Sequence, residues 1–168
     1  MTNIEAARRV IERVRGAGVG DFCVCGGSRN APLIAVLGPD VYAFTDERAA
    51  AFFALGRAKR DGKPVAVVTT SGTAAAELLP ATIEAFYAGV PLVLITADRP
   101  ARFRGTGAPQ SIEQVGLFGD YATTEFDRWN RRSPLHINIE FDEPLIDEEC
   151  HPERSEGPGG AAGAGSRQ

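Results

Sequence analysis

Cysteine is scarce in this sequence: Cys23, Cys25 and Cys150 are the only three in 168 residues. So odd and sparse a set excludes a disulfide framework and fits a reducing compartment, so a cytoplasmic location is expected. Cys23 and Cys25 fall on the same side of one strand, which argues against a bridge between them. A C-x-C pair can bind metal, but no second ligand pair accompanies it, and buried packing is the simpler reading. No grouping of His, Cys, Asp and Glu has metal-ligand spacing, so no metal ligand is assigned. Positive charge is not in excess either. Eighteen Lys and Arg stand against 22 Asp and Glu, a net charge of -4. No long basic run occurs, so nothing recommends a nucleic-acid partner. No apolar run is long enough to span a bilayer, so no membrane partner is expected. The amphipathic opening, "MTNIEAARRVIERVRGAG", lacks the apolar block of a signal peptide. The glycine-rich segments match neither the P-loop nor the dinucleotide fingerprint.

What is present reads as an ordinary soluble α/β domain, with 43% hydrophobic and 24% charged residues. Ile4, Ala7, Val10, Ile11 and Val14 recur at helical spacing, and Gly16 and Gly18 end that helix. "DFCVC" is a short buried strand. "GGSRNAPLIAVLG" is a glycine turn and a short helix with Asn30 as a possible N-cap. "VYAFT" is a second strand, read as buried, and it hands over to a helix across residues 46–60. "PVAVVTT" and "PLVLITA" are apolar strands on either side of "SGTAAAELLPATIEAFYAG", a helix in which Pro80 predicts a kink or break. A long polar loop, "DRPARFRGTGAPQS", follows. "IEQVGLFG" is expected as a short helix, "YATTEF" as a weak strand and "PLHINIEF" as the last strand. Strands alternating with helices, with apolar central strands, predict an open, mostly parallel sheet in three layers with helices on both faces. Residues 1–146 form that domain. Residues 147–168, rich in Gly, Pro and Ser, are expected to be a disordered tail.

In such a sheet the strand C-termini share one rim, where ligands bind. Four polar turns converge there. Glu47 lies in the first turn of its helix. It is either an acid that stabilises the helix dipole or a partly buried proton carrier whose pKa burial would raise. Ser28 and Arg29 form either a plain turn with a solvated arginine or an anion site with a bidentate clamp. Ser71, Gly72 and Thr73 form either a helix cap or a cradle. Arg99 follows a strand directly, Gln110 sits in the loop beyond it, and Arg102 and Arg104 make that loop basic, which suggests an anionic ligand. Arg29 and Arg99 are expected to point into one pocket near Glu47. His136 alternates with Ile137 and Ile139 and reads as a satisfied core or edge histidine, and Trp129 reads as packing.

"GGSRNAPL", "TDERAAAFFALGRAKRDGKPVAVVTTSGTAAAELLPATIEA", "PLVLITADRP" and "GAPQSIEQVGLF", in this order, resemble the N-terminal pyrimidine-binding domain of thiamine-diphosphate enzymes. The closest resemblance is to the 2-succinyl-5-enolpyruvyl-6-hydroxy-3-cyclohexene-1-carboxylate synthases of menaquinone biosynthesis. It runs over residues 4–146. It implies thiamine diphosphate as cofactor, with Glu47 against N1′ of its aminopyrimidine and Ser71, Gly72 and Thr73 beside it. It also implies 2-oxoglutarate and isochorismate as substrates, with Ser28, Arg29, Arg99 and Gln110 at their carboxylates and hydroxyls. A homodimer is the expected assembly, because sites in this family lie between subunits.

Two departures stand out. Gly26 occupies the place where the family usually has proline. Only residues 127–134 separate "YATTEF" from "PLHINIEF", where the family has a helix. A parallel connection needs about a dozen residues, so either a helix has been lost or residues 121–126 are not a parallel strand. The family's central domain is also missing from this sequence. So is its C-terminal domain, which holds the diphosphate and Mg²⁺ (or Mn²⁺) with a Gly-Asp-Gly signature. The chain is therefore expected to be inactive alone. A binding or interaction domain without catalysis is the alternative.

Overall fold

The computed structural model describes residues 1–146, so the expected tail, 147–168, and Cys150 lie outside the described residues. Five parallel strands form one sheet in the order β2-β1-β3-β4-β5. They are β1 (Asp21–Cys25), β2 (Tyr42–Phe44), β3 (Val65–Thr69), β4 (Leu92–Asp98) and β5 (Leu135–Glu140). The helices are α1 (Asn3–Gly16), α2 (Ala31–Leu37), α3 (Glu47–Asp61), α4 (Thr73–Ala76) and α5 (Leu79–Ala88). Alternate strand residues face opposite sides. Ala66, Val68, Val93 and Ile95 pack with Ala7, Ile11, Val14 and Leu33 of α1 and α2. Val65, Val67, Leu92 and Leu94 pack with Ala50, Ala54 and Ala58 of α3 and Ala81 and Ala85 of α5. The expected three layers are present.

Local chemistry sets the element ends. Thr2 and Glu5 form a reciprocal capping box at the start of α1. Asp46 caps α3, its Oδ1 accepting the Ala49 N–H at 2.7 Å, and Gly62 ends that helix in the left-handed region. Pro80 breaks its helix as expected: α4 stops at Ala76, and Pro80 sits in the first turn of α5.

Four expectations need correction. The β2 strand is an exposed edge and not a buried strand, with Tyr42 and Ala43 exposed. Asn30 stands at the start of α2 but makes no side-chain cap there; it is drawn instead into the preceding turn. "IEQVGLFG" forms turns, because Gly116 and Gly119 take positive φ (74° and 50°) that interrupt a helix. "YATTEF" is not a strand: Thr123 alone bridges Leu135 in parallel.

That last correction resolves the short connection. Phe118 and Ala122 pack on the α3–α5 side of the sheet. Phe126 and Trp129 pack on the α1–α2 side. The chain therefore crosses the outer edge of β5 at Thr123, whose N–H donates to the Pro134 carbonyl and whose carbonyl accepts from the His136 N–H. Single 3₁₀ turns, Gly119–Tyr121 and Phe126–Arg128, replace a crossover helix. Beside this edge a groove of about 430 Å³ is lined by Val10, Phe126, Ile137 and Asn138, among others.

Candidate functional site

The strand order reverses between β1 and β3, which makes the turns after these strands the expected ligand crevice. The two turns touch. A Cβ on Gly27 would lie 2.6 Å from Thr70 Cβ, so only glycine allows this approach. The β1 turn is held by buried Asn30: its Nδ2 donates to the Cys25 carbonyl at 2.8 Å and its Oδ1 accepts the Gly27 N–H at 2.9 Å. Ser28 is left exposed at the rim, while Arg29 is buried.

Arg29 does not face this crevice. Its Nη1 donates to the Phe141 carbonyl at 2.9 Å, and its Nη2 pairs with Glu143 at 3.0 Å. Phe141 belongs to the α1–α2 side of the core. Glu47 opens α3 on the other side, half-buried beside the β1–β2 seam. The expectation of one pocket shared by Arg29, Arg99 and Glu47 is therefore not met. Three strand spacings, about 14 Å, separate the β2 turn of Glu47 from the β4 turn of Arg99.

A second group does assemble. Arg99 Nε donates to the Pro109 carbonyl at 2.9 Å. The next residue, Gln110, is exposed with φ 52° and packs on Gly72, where a Cβ would meet Gln110 Cα at 3.0 Å. Gly72 itself has φ 80°, which glycine adopts without strain. Ser71 and Gly72 are buried and Thr73 is exposed. Arg99, Gln110 and the Ser71-Gly72-Thr73 turn thus form one cluster over β3 and β4, with Ser28 across the β1–β3 seam.

The loop is less basic than its composition suggests. Arg104 pairs with Asp98 and Glu140, and Arg102 pairs with Asp142 at 2.6 Å. Arginines and carboxylates there brace the loop against the end of β5. The Glu47 carboxylate, by contrast, takes part in no side-chain hydrogen bond or ion pair among the described residues.

Two residues that matter to this geometry, Gln114 and Asn138, have no signal in the pattern of the chain, and they join Asp98 at the end of β4. Gln114 is fully buried. Its Oε1 accepts the Gly72 N–H at 2.7 Å, and its Nε2 donates to Asn138 Oδ1 at 2.9 Å and the Ala97 carbonyl at 3.2 Å. Asn138 Nδ2 donates to buried Asp98, whose other oxygen accepts the Arg99 N–H. His136 is buried as expected, its Nε2 2.8 Å from Thr96 Oγ1, and burial pushes its pKa down to about 4. Burial also pushes the Cys23 and Cys25 thiols up to about 12, and the carboxylates of Glu47 and Asp46 add to the shift at Cys25. Both thiols are free and buried, in keeping with packing roles.

Parallel sheet, reversed strand order and a rim of polar turns define a cofactor-binding α/β domain. Residues 4–117 match the family described as thiamine pyrophosphate enzyme, N-terminal TPP binding domain, and the chain belongs to that family. The relatives narrow the class. The chain is 48% identical to the 2-succinyl-5-enolpyruvyl-6-hydroxy-3-cyclohexene-1-carboxylate synthase of Bdellovibrio bacteriovorus, over 88% of this chain and 31% of that protein. It is 52% identical to the synthase of the same name from Akkermansia muciniphila, over 76% of this chain and 27% of that protein. It is 44% identical to that of Halobacterium salinarum, over 83% and 29%. The chain thus spans less than a third of the length of these relatives.

Proposed function

We propose that this chain is the aminopyrimidine-binding part of a thiamine-diphosphate-dependent transferase, a synthase that joins the succinyl unit of decarboxylated 2-oxoglutarate to isochorismate in menaquinone biosynthesis. The observation that carries the reading is the Glu47 carboxylate: half-buried at the rim, first in α3, and unengaged among the described residues. A carboxylate in that state fits a ring nitrogen that needs a partner. Standing first in α3 at the rim, Glu47 would hold the shared proton at N1′. Thiamine diphosphate, when bound, supplies the carbon that carries the charge left by decarboxylation. Ser71, Gly72 and Thr73 would line the ring. Arg99 and Gln110 would hold substrate carboxylate and hydroxyl groups, with Ser28 across the seam. Arg29 would join them only after exchanging Glu143 for a substrate anion.

Among the described residues no group of three or more His, Cys, Asp and Glu is placed to hold a metal. Mg²⁺ (or Mn²⁺) and the diphosphate would then depend on central and C-terminal domains of the kind the relatives' extra length allows. By themselves these 168 residues are expected to give no turnover, since positioning supplies much of the rate. A second copy is the expected partner. Phe52, Phe86 and Tyr87 are exposed at 45%, 38% and 75% on α3 and α5, an aromatic surface suited to association. No helix among the described residues is long and apolar enough to cross a membrane. The scarce cysteines favour a cytoplasmic location.

Grafting tests the reading. Residues 4–146 would replace the matching segment of the Bdellovibrio bacteriovorus relative, with thiamine diphosphate, Mg²⁺ and both substrates supplied. Product should form, and Glu47→Gln should slow its formation by about 10² to 10⁴. The inward-turned Arg29 favours a second reading, a binding domain without catalysis. That reading predicts a graft that binds cofactor and yields no product.

A further inference from the structure

We propose that Gln114 is a positioning residue that clasps the Ser71-Gly72-Thr73 turn to the segment bearing Gln110, so that the two hold one fixed geometry at the rim. Two contacts form the clasp. Gln114 Oε1 accepts the Gly72 N–H at 2.7 Å, and the Gln110 backbone packs on the Gly72 Cα. Both contacts come from one short stretch of chain. Gln110 is held there in the left-handed region, φ 52°, a conformation that costs a non-glycine residue of its kind and persists only where its surroundings impose it.

Donors and acceptors fix the direction of every bond behind the clasp. The Gly72 N–H can only donate, so Gln114 presents its oxygen there and turns its NH₂ toward Asn138. Asn138 must then present its oxygen to Gln114, which sends its own NH₂ to the Asp98 carboxylate. The Thr96 hydroxyl gives its one proton to that same Asn138 oxygen, so His136 donates to Thr96 from Nε2. The Arg99 N–H closes the other end on Asp98. One backbone N–H thus orders a buried network that reaches both turns of the cluster. Flipping Gln114 or Asn138 would set like groups against each other. In buried surroundings such a network is rigid while every member is satisfied. The clasp takes from the proposed function only the meaning of the turn as a ligand-contacting element.

Amide hydrogen exchange on the 168-residue chain tests it without any cofactor. Gln114→Met keeps length and volume but removes donor and acceptor. Exchange at Gly72 and through residues 105–112 should rise about tenfold or more, since a buried N–H loses its acceptor. The interiors of β3 and β4 should keep parental rates. Gln114→Glu adds a readout that packing alone would not move. Its protonated acid can accept from Gly72 and donate to Asn138, so protection should return at acid pH. Above its ionisation the carboxylate faces the Asn138 and Ala97 oxygens, and protection should be lost. Parental exchange at Gly72 in the Met variant would overturn the proposal. So would a rise shared evenly with β3 and β4, or failure of both variants to fold, either of which makes Gln114 an ordinary core residue. If the turn opens as expected while the graft yields no product, the clasp stands and the functional reading falls.

Discussion

Acid should weaken this fold through one buried imidazole. His136 is 3% exposed, packed edge-on against Phe118, and its pKa falls from 6.5 to about 4 because burial disfavours the charged ring. The folded chain keeps His136 neutral down to about pH 4, whereas the unfolded chain takes up a proton below about 6.5. Its contribution is therefore complete above pH 6.5. It falls by up to about 1.4 kcal/mol per pH unit between 6.5 and 4, then levels off. Over the window the loss is about 3 kcal/mol, a large share of the stability of a domain this size. Asp61 and Asp142 are held below the ordinary carboxylate range by Arg60 and Arg102, so their losses begin at lower pH. Urea unfolding followed through the buried Trp129, at intervals from pH 7 to 4, measures the effect. His136→Gln keeps a donor for Thr96 but cannot titrate. It should be less stable than the parent at pH 7 and should close most of that gap by pH 4. Parallel stability curves for parent and variant would refute the argument.

Other substitutions probe the turns. Gly27→Ala should cost about 1 to 3 kcal/mol in urea unfolding, because the new methyl would sit 2.6 Å from Thr70 Cβ. Gly72→Ala should cost a similar amount, through its φ of 80° and the Gln110 backbone at 3.0 Å. Arg29→Ala should destabilise by about 1 to 3 kcal/mol, leaving the Phe141 carbonyl without its donor. Arg99→Ala should stay within about 0.5 kcal/mol, since its one side-chain hydrogen bond is exposed; equal effects from the two arginines would contradict their placement.

The sheet and most helices were legible because their signals are local. Runs such as "VAVVT" are apolar and β-branched over strand length, and caps such as Asp46 and Gly62 act on the adjacent turn. What could not be read depends on distant partners. Ile112, Val115 and Leu117 suggest a helix by spacing, yet positive φ at Gly116 and Gly119 breaks the stretch into turns, and the partners that Gln114 then reaches, Gly72 and Asn138, lie far along the chain. Arg29 follows a Gly-Gly turn, as an anion-binding arginine would, yet its guanidinium ends on a carbonyl 112 residues further along. Glu47 fell where expected because its position is set by the first turn of its own helix. The partners of the arginines were not legible, because an arginine can reach several partners from one Cα.

That distinction changes how the rim's charge is to be counted. By composition, four arginines crowd the turns, at positions 29, 99, 102 and 104, and an anionic ligand follows naturally. In the folded chain three of them meet acids near the end of β5: Arg29 meets Glu143, Arg102 meets Asp142, and Arg104 meets Asp98 and Glu140. These pairs cancel most of the field that the sequence suggests. They also tie the β1 and β4 turns to one exit segment, which Asn3 of α1 joins through the Asp142 and Pro144 carbonyls. Arg99 differs. Its single side-chain hydrogen bond, through Nε to the Pro109 carbonyl, aims the side chain along the Gln110 segment and leaves both Nη groups without a hydrogen-bond partner among the described residues. The case for an anionic substrate therefore rests on one placed guanidinium beside Gln110, and on Glu143 being an exposed, exchangeable partner for Arg29, rather than on the number of arginines in the loop.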